Sequence, residues 1–549
     1  MTYPVPPGNR HRRIVVEFGP LKYFHLIMFL SDLQAKENVD IVDVANLNSL
    51  TEAETDTLLL FCLEYVDDLF TELMRALISW LSREPEVLDR IGEVTYHIHW
   101  LPHHKWIDYT TEEKQVYTEF MNAVERYVGE AKVRHVLIIQ KYDIETTVAI
   151  TDPAEIDKLA QEICDDVVRW RHLKILDYGV LSFRFLPTLI SLADTMEVLN
   201  IGGGYALETL GGFHIPRLRV LIALQNALHA IDEVLFPLTL RRLELLDNKI
   251  YFLSYVSFPP FLEHLDVLQN RIDTLKGVNF PATLVLLNLA FNPIELLKGV
   301  RFPEGLRYLD VSNIPNESMA GIRFPDSVTN LNLQALMTTT RGLKLPPMLT
   351  QLCLCDNNIT SINPLRLPLT LKVLYLNNNA IKTLNKVLFP PNLRELYLGN
   401  NLITTLKNVH FPASLEVLDM EMDPDLIGID DDFAKRQLTL IKDVMLPHNL
   451  RVLRLGYHAI SQLDLVDLPP GLVLFLACYN GLHTLRGTRL PQMKLLDLAG
   501  NPMLTFDHFV LPELVTELRL APELLSHLPP YVIDRINQKQ LLLRQLQPF

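Results

Sequence analysis

The chain has 549 residues, a formal net charge of −15 and five cysteines. Residues 1–171 carry 17 Lys/Arg against 30 Asp/Glu, and a chain this acidic, without clusters of Lys/Arg along its sequence, is not expected to bind nucleic acid through phosphate neutralisation. The scattered cysteines do not suggest a secreted disulfide framework, and neither a secretory signal nor a bilayer-spanning segment is recognisable. We therefore expect a cytoplasmic or nuclear protein with no nucleic acid and no membrane partner.

The first 90 residues predict a small helical domain. Residues 21–33 are apolar on most faces, and a long helix or a helical pair is expected from about Glu52 to Leu81. Thr51 and Glu54 have the spacing of a capping box, which marks the start of that helix.

Residues 91–195 predict longer units in which strands alternate with helices. Strands are expected at Val94–Trp100, Val133–Gln140 and Leu173–Tyr178. Capping signals predict intervening helices from about Glu112 to Val128 and from Asp152 to Trp170. The spacing between strands falls from about 40 residues to 23 and then 22, so these units merge into shorter ones and the repeat array is expected to begin near Glu93.

From Leu218 onward the chain repeats one pattern fourteen times, mostly every 22 residues. The pattern is LxxLxLxxNxIxxLxxVxFPxx, and its first half alternates apolar and polar residues like a half-buried strand. A unit this short cannot bury its own apolar face and must stack on copies of itself. Position 1 of the repeat is occupied by Leu218, Leu240, Leu262, Leu284, Leu306, Val328, Leu349, Leu371, Leu393, Leu415, Leu450, Leu472, Met493 and Val515.

Two further residue types recur in the repeat. Phe-Pro or Leu-Pro closes most repeats, and proline argues against long helices in the return segment. A buried amide can both donate and accept, so the asparagine at position 9 is expected to hold a turn and not a ligand. This asparagine occurs as Asn226, Asn248, Asn270, Asn292, Asn357, Asn379, Asn401, Asn480 and Asn501.

These features together resemble the leucine-rich-repeat superfamily. The resemblance implies an α/β fold, a curved solenoid with a strand in each repeat and regular repeats over 196–522. The helical domain predicted over 1–90 precedes this solenoid. It also implies that the concave strand face binds another protein. Within 523–549, residues 530–546 predict an amphipathic helix that caps the exposed last repeat.

Positions 3, 5 and 7 of each repeat are expected to form the concave face, and equal positions should align in columns. The position 5 column is acid- and amide-rich at first and carries two tyrosines at its centre. Two interpretations of these tyrosines are open: an anchor for a partner, or packing of one tyrosine on the other. The predicted partner-binding residues are Glu244, Asp266, Tyr308, Asp310, Tyr375, Tyr397 and Asp419.

A helical N-terminus followed by long and then short repeats resembles the F-box proteins with leucine-rich repeats. The F-box motif aligns with Phe18–Leu30, although Gly19 stands where leucine is usual and Ser31 misses the last leucine. An ordinary buried helix is the alternative. The resemblance implies contact with the adaptor subunit of a cullin-type ubiquitin ligase through Pro20, Leu21, Phe24, Ile27 and Met28.

One repeat is interrupted. Leu415 and Leu450 are 35 residues apart, and the extra segment at 423–443 begins acidic and predicts a short helix. It is either a recognition loop or a solvated insertion.

Candidate catalytic and metal sites fail on spacing. His97 and His99 share a strand face but lack further zinc ligands, Gly202–Gly204 lacks a phosphate-loop context, and Cys353 and Cys355 fit separate thiols. We therefore predict no enzyme, no metal and no cofactor. The predicted function is protein binding, either as an F-box-type substrate adaptor or as a scaffold or phosphatase-regulatory subunit without a ligase connection.

Overall fold

The computed structural model describes most residues from 196 to 545. The gaps lie at 204–206, 213, 316–320, 337–339, 427–436, 440, 442–443, 464–466, 486–487, 507–509 and 539. Before residue 196 it describes the backbone of six strands and nine helical positions. The chain divides into two compact units, Met1–Ile250 with Val256–Leu262, and Tyr251–Tyr255 with Glu263–Phe549. The predicted boundaries at residues 90 and 195 stay predictions.

The first unit contains a parallel sheet. Its described strands pair in the order β2-β1-β3-β4-β5-β6-β7-β8-β9. The strands are β1 Arg13–Glu17, β2 Val39–Asp43, β3 Thr57–Leu63, β4 Ile91–Trp100, β5 Val133–Ile139, β6 Leu173–Asp177, β7 Val198–Asn200, β8 Val220–Ile222 and β9 Arg242–Glu244. The predicted strands at 94–100, 133–140 and 173–178 are therefore confirmed within a few residues at either end.

The helical prediction for residues 1–90 is wrong at three strands. β1, β2 and β3 lie in this range, and β3 falls inside the helix predicted from Glu52 to Leu81. The reason is that TLLLFCL is a short continuous apolar run, which periodicity alone cannot assign to a buried helix or to a parallel strand. Since β3 pairs with β4, the parallel sheet also begins earlier than Glu93.

Helical positions follow β3 and β4. Residues 75, 78, 79 and 82 are helical, and so are 115, 119, 122, 123 and 126, which lie inside the helix predicted at 112–128. The helix predicted from Asp152 to Trp170 lies outside the described residues.

The second unit is a stack of short parallel strands, one for each repeat. Neighbouring strands pair in chain order. They are β10 His264–Asp266, β11 Leu286–Asn288, β12 Tyr308–Asp310, β13 Asn330–Asn332, β14 Gln351–Cys353, β15 Val373–Tyr375, β16 Glu395–Tyr397, β17 Val417–Asp419, β18 Val452–Arg454, β19 Leu474–Leu476, β20 Leu495–Asp497, β21 Glu517–Leu520 and β22 Leu542–Gln545.

The repeat pattern determines the core. Positions 1, 4 and 6 are buried in successive repeats, as Leu393, Leu396 and Leu398 illustrate, while positions 3 and 5 of most strands are half-buried. Among the described residues of 263–520 the return segments contain turns and a single 3-10 helix, Pro424–Leu426. The predicted absence of long helices is therefore confirmed in these segments. The physical reason is that each segment carries a proline, which removes a backbone donor and disfavours a continuing helix.

The asparagines at position 9 hold the turns, as predicted. All nine are buried. Asn401 shows the pattern: its Oδ1 accepts from the Ile381 amide at 3.1 Å, and its Nδ2 donates to the Leu376 and Leu398 carbonyls at 2.9 Å each. Eight of the nine amides join neighbouring repeats in this way, through backbone groups that the sheet leaves unpaired.

The insertion is shorter than the predicted 423–443. Leu438 and Ile441 are buried, and the Leu438 amide bonds to the side chain at position 9 of the next repeat, as Ile381 does. Leu438 therefore occupies position 11 of the interrupted repeat. The extra residues lie between Asp423 and Leu438, and the segment from Leu438 onward resumes the regular return path.

The C-terminal helix is shorter than predicted. Helix α1 spans Pro530–Asn537, and residues 542–545 form β22, which pairs in parallel with β21. The LLLRQ run is apolar and short, so a strand competes with the helix. The edge of β21 is therefore covered by a strand, while α1 is held by Arg535, whose guanidinium donates to the carbonyls of Pro512, Glu513 and Val515.

Candidate partner-binding surface

Within each unit, positions 3, 5 and 7 of successive strands lie on one face of the sheet, here called the strand face. Along it, the acids and amides at position 5 share a structural role. The side-chain oxygen accepts a hydrogen bond from the backbone N–H two residues later, as in Asp266 to Leu268, Asp310 to Ser312 and Asp419 to Glu421, at 2.9–3.0 Å. Asn200, Asn288, Asn332 and Asp497 do the same. This bond ends the strand locally, so the acid and amide character of the column has a cause besides a partner.

The predicted acidic residues are mostly engaged. Asp310 is buried and also accepts from Ser312 Oγ and Asn332 Nδ2, and Asp266 accepts from Asn288 Nδ2. In the first unit, Glu244 forms an ion pair with Arg242. Their binding role stays a prediction, and the internal bonds leave them fewer free acceptor sites.

Tyr375 and Tyr397 lie side by side on β15 and β16. Their rings stack with centroids 4.7 Å apart and planes 17° from parallel. The Tyr397 hydroxyl donates to Glu395 Oε2 at 2.9 Å, whereas the Tyr375 hydroxyl makes no hydrogen bond with any described residue. Burial, reinforced by the negative charge of Glu395, raises the pKa of both phenols. Both hydroxyls therefore stay protonated at neutral pH, and the Tyr375 hydroxyl can donate to a partner.

Tyr308 does not extend this pair. Two strands, β13 and β14, separate it from Tyr375, and its hydroxyl bonds to Asp310 Oδ2 at 3.3 Å. Burial and the Asp310 carboxylate raise the pKa of Tyr308 to about 12.

Residues that the repeat pattern treats as ordinary surround the stacked rings. Asn377, at position 7 beside Tyr375, has a buried Oδ1 without a hydrogen-bond partner among the described residues. Gly399, at position 7 of the next repeat, lies so close to the Glu421 carbonyl that a Cβ would overlap it, and that Cβ would also lie 3.2 Å from Asn377 Nδ2. The backbone at Gly399 and the backbone at Glu421 of the next repeat are therefore in close contact. No single-sequence signal distinguishes Asn377 and Gly399 from other variable positions.

Asp419 and Glu421 follow on β17 and the residues after it. Asp419 Oδ2 lies 3.3 Å from Arg454 Nη1, while Glu421 makes no ion pair with a described residue and lies 4.0 Å from Cys478 Sγ. Burial raises the pKa of both carboxyl groups, and the Asp419 charge adds to the rise at Glu421. With Glu395, these groups give the strand face beside the tyrosines an acidic character that one arginine offsets in part.

The remaining predicted sites have the following outcomes. Cys353 and Cys355 are free thiols at positions 5 and 7, as expected. Among residues that the structure describes, no group of three or more His, Cys, Asp or Glu is placed to hold a metal ion. The predicted adaptor-binding residues Pro20, Leu21, Phe24, Ile27 and Met28 lie outside the described residues. No helix in the described part of the chain is long and apolar enough to cross a membrane.

Comparison with known proteins supports the repeat assignment. Residues 369–423, which include Tyr375 and Tyr397, match the family model described as leucine rich repeat. No curated protein matches the chain. The match and the repeated strand-turn geometry support placing these repeats in the leucine-rich-repeat superfamily.

Three solved structures share weaker likeness. An internalin, InlF, from Listeria monocytogenes is 18% identical, with a TM-score of 0.39, over 64% of this chain and 85% of that one. The functional domain of InlJ from the same organism is 17% identical, with a TM-score of 0.33, over 58% and 69%. CroV588, described as a circular leucine-rich-repeat protein, is 14% identical, with a TM-score of 0.41, over 80% and 77%. These scores are too low to carry an argument about function.

Proposed function

We propose that the chain is a non-enzymatic protein-interaction protein that binds a partner protein on the strand face at Tyr375 and Tyr397. The observation that supports this is the stacked, half-buried tyrosine pair, with a free Tyr375 hydroxyl and with Asn377 Oδ1 unpaired among the described residues. Stacked tyrosines offer a wide apolar contact at a small cost in side-chain entropy, and they are frequent at binding hot spots.

The charge beside the rings favours a partner segment that carries Lys or Arg. Glu395, Asp419 and Glu421 contribute three carboxyl groups, while Arg454 is the cation in contact with Asp419. A cation placed over the stacked rings would approach both a tyrosine face and the Glu395 carboxylate, which accepts from the Tyr397 hydroxyl. Partner binding should therefore weaken as ionic strength rises.

The test compares two matched double variants of the tagged full-length chain by affinity purification and mass spectrometry. Tyr375→Ala with Tyr397→Ala should lose the partner. Tyr457→Ala with Tyr479→Ala removes an equally tight stack, with ring centroids 4.7 Å apart, from position 8 and should retain it. Equal recovery with both variants, each shown to be folded by circular dichroism, would exclude the Tyr375 surface as the anchor.

The more specific hypothesis is an F-box-type substrate adaptor. It depends on the Phe18–Leu30 sequence match, and the strands β1 and β2 on either side of that segment do not fit an all-helical N-terminal domain. Purification of the full chain and of a variant carrying Leu21→Asp and Phe24→Asp tests it. Absence of a cullin and its adaptor subunit from the full-chain sample would leave the scaffold or regulatory-subunit function.

A further inference from the structure

The return segments of seven consecutive repeats carry a concentration of positive charge that contrasts with the net charge of −15. In each of these repeats the segment runs for eight residues and ends at the residue after the proline. The first segment begins at residue 275 and the last ends at residue 413, and the surface that the seven segments form is here called the return strip. These segments contain two acids, Glu304 and Asp326. They contain nine Lys/Arg: Lys276, Lys298, Arg301, Arg323, Arg341, Lys344, Arg366, Lys386 and Lys407.

Four of these cations form one column. Arg301, Arg323, Lys344 and Arg366 each stand immediately before Phe-Pro or Leu-Pro in successive repeats, and all four are exposed. The residues before them, such as Ile322, Leu343 and Leu365, are buried, so the alternation directs each cation outward.

The return segments lie in register, which brings the column together. The rings that follow Arg301 and Arg323, Phe302 and Phe324, stack with centroids 6.3 Å apart. In later repeats the same position forms the parallel bridges His410 to Met445 and Asp467 to Arg489. With about 4.8 Å between neighbouring repeats, seven repeats give a strip roughly 30 Å long.

Seven of the nine cations have no counter-charge among the described residues. None of the four column residues makes an ion pair or a side-chain hydrogen bond with a described residue, and the same holds for Lys276, Lys298 and Lys386. Like charges aligned in neighbouring repeats repel each other. A complementary anionic surface would remove that repulsion, and nothing in the described part of the chain supplies one.

Exposed aliphatic side chains accompany the cations. Leu388 occupies the next place in the column and is 89% exposed. Leu369, which follows Pro368, is 69% exposed, and Met348, which follows Pro347, is 55% exposed. The phenylalanines of the strip, such as Phe302 and Phe324, are buried or half-buried and cannot stack on bases. Cations interspersed with exposed aliphatic groups fit an anionic lipid surface better than a phosphodiester backbone, which offers no apolar contact.

We propose that the return strip is a docking surface for an anionic lipid bilayer, separate from the strand face that the proposed function uses. Lys and Arg side chains along the strip meet anionic headgroups, and Leu388, Leu369 and Met348 enter the interface between headgroups and acyl chains. The contact is peripheral and depends on ionic strength.

Co-sedimentation of the full chain with vesicles tests the proposal. We expect binding to phosphatidylcholine vesicles that contain about a third phosphatidylserine, and at least about tenfold less binding to pure phosphatidylcholine or above about 0.5 M salt. The variant Arg323→Glu, Lys344→Glu, Arg366→Glu should reduce binding by more than about tenfold. Leu369→Ser with Leu388→Ser should reduce it several-fold at unchanged charge.

The matched control is Arg307→Glu, Lys372→Glu, Arg451→Glu, which changes the net charge equally at exposed positions just before the strands. It should retain binding, and so should Tyr375→Ala with Tyr397→Ala, which separates this proposal from the partner site. Equal loss in both charge-reversal variants, or binding indifferent to phosphatidylserine, would overturn the proposal. The proposal would also be overturned if the chain bound a single-stranded oligonucleotide or polyglutamate but did not bind the vesicles.

Discussion

The imidazole of His458 takes the place of asparagine in bonding to Leu438. Its Nδ1 accepts from the Leu438 amide at 3.1 Å, and Nε2 lies 2.7 Å from the Met420 carbonyl, to which it donates. Asn401 makes the same two bonds with Ile381 and Leu376. A neutral imidazole protonated on Nε2 therefore reproduces the donor and acceptor of a carboxamide.

This substitution should make stability depend on pH. Burial lowers the pKa of His458 from 6.5 to about 4, so the unfolded chain binds more protons than the folded one between these values. The stability that neutral His458 contributes is fully present above pH 6.5. It is lost as the pH falls through 4, and the free energy of unfolding then decreases by at most about 3 kcal/mol. Urea unfolding at pH 7.5 and pH 4.5 measures it, and His458→Asn should flatten the dependence. Parallel pH profiles for the two proteins would contradict the assignment.

Removing one asparagine of the ladder should destabilise the neighbouring repeats. Asn401→Ala removes the hydrogen bonds that the buried Ile381 amide and Leu398 carbonyl make to this side chain, which costs about 2–4 kcal/mol. Urea denaturation followed by circular dichroism measures the change in the free energy of unfolding. Asn392→Ala is the control, because this exposed side chain makes one bond, to the Leu369 carbonyl, and its loss should cost less than about 1 kcal/mol.

A side chain at Gly399 should destabilise the protein because another backbone segment lies close to it, and not because of its backbone angles. Its φ is not in the left-handed region, yet a Cβ would overlap the Glu421 carbonyl of the next repeat. Gly399→Ala should therefore destabilise the protein by about 1–3 kcal/mol and weaken partner binding at the strand face. Gly481→Ala is the matched control, since its Cβ would meet the Ile460 carbonyl at 3.8 Å, an ordinary contact. Equal melting temperatures for the two variants would refute the close approach.

The regular repeats were predictable because each buried position recurs. The burial of Leu396 is predicted from the apolar residues at the same position of the other repeats and not from its own neighbours in sequence. The same repetition predicts the role of Asn401. Where repetition ends, a short apolar run gives no basis for choosing between helix and strand. β3 and β22 are examples among the described strands, and in both the pairing with a neighbouring strand decides the outcome.

The surfaces were harder to predict than the fold. Glu421 and Gly456 are unremarkable in sequence, but Gly456 leaves the space into which the Glu421 carboxylate extends toward Cys478. The four column cations, Arg301, Arg323, Lys344 and Arg366, are 21 or 22 residues apart in the chain, so the column is not visible until the repeats stack. The expectation of no nucleic-acid partner relied on that apparent scatter, whereas the expectation of no membrane partner relied on the lack of a bilayer-spanning segment.

Arg519 should stabilise the protein mainly because it keeps the buried Asp497 carboxylate from being left without a cation. The Asp497 side chain is 3% exposed, and Arg519 Nη1 lies 3.3 Å from its Oδ2 while Nε bonds to Glu517 at 2.8 Å. Arg519→Met leaves a buried carboxylate without a cation, so the free energy of unfolding should fall by about 3 kcal/mol. Asp497→Asn in the Arg519→Met background removes that charge and keeps the acceptor for the Ala499 amide, so it should restore most of the loss. A double variant no more stable than Arg519→Met alone would show that lost packing of the arginine stem, and not the unpaired charge, is the cause.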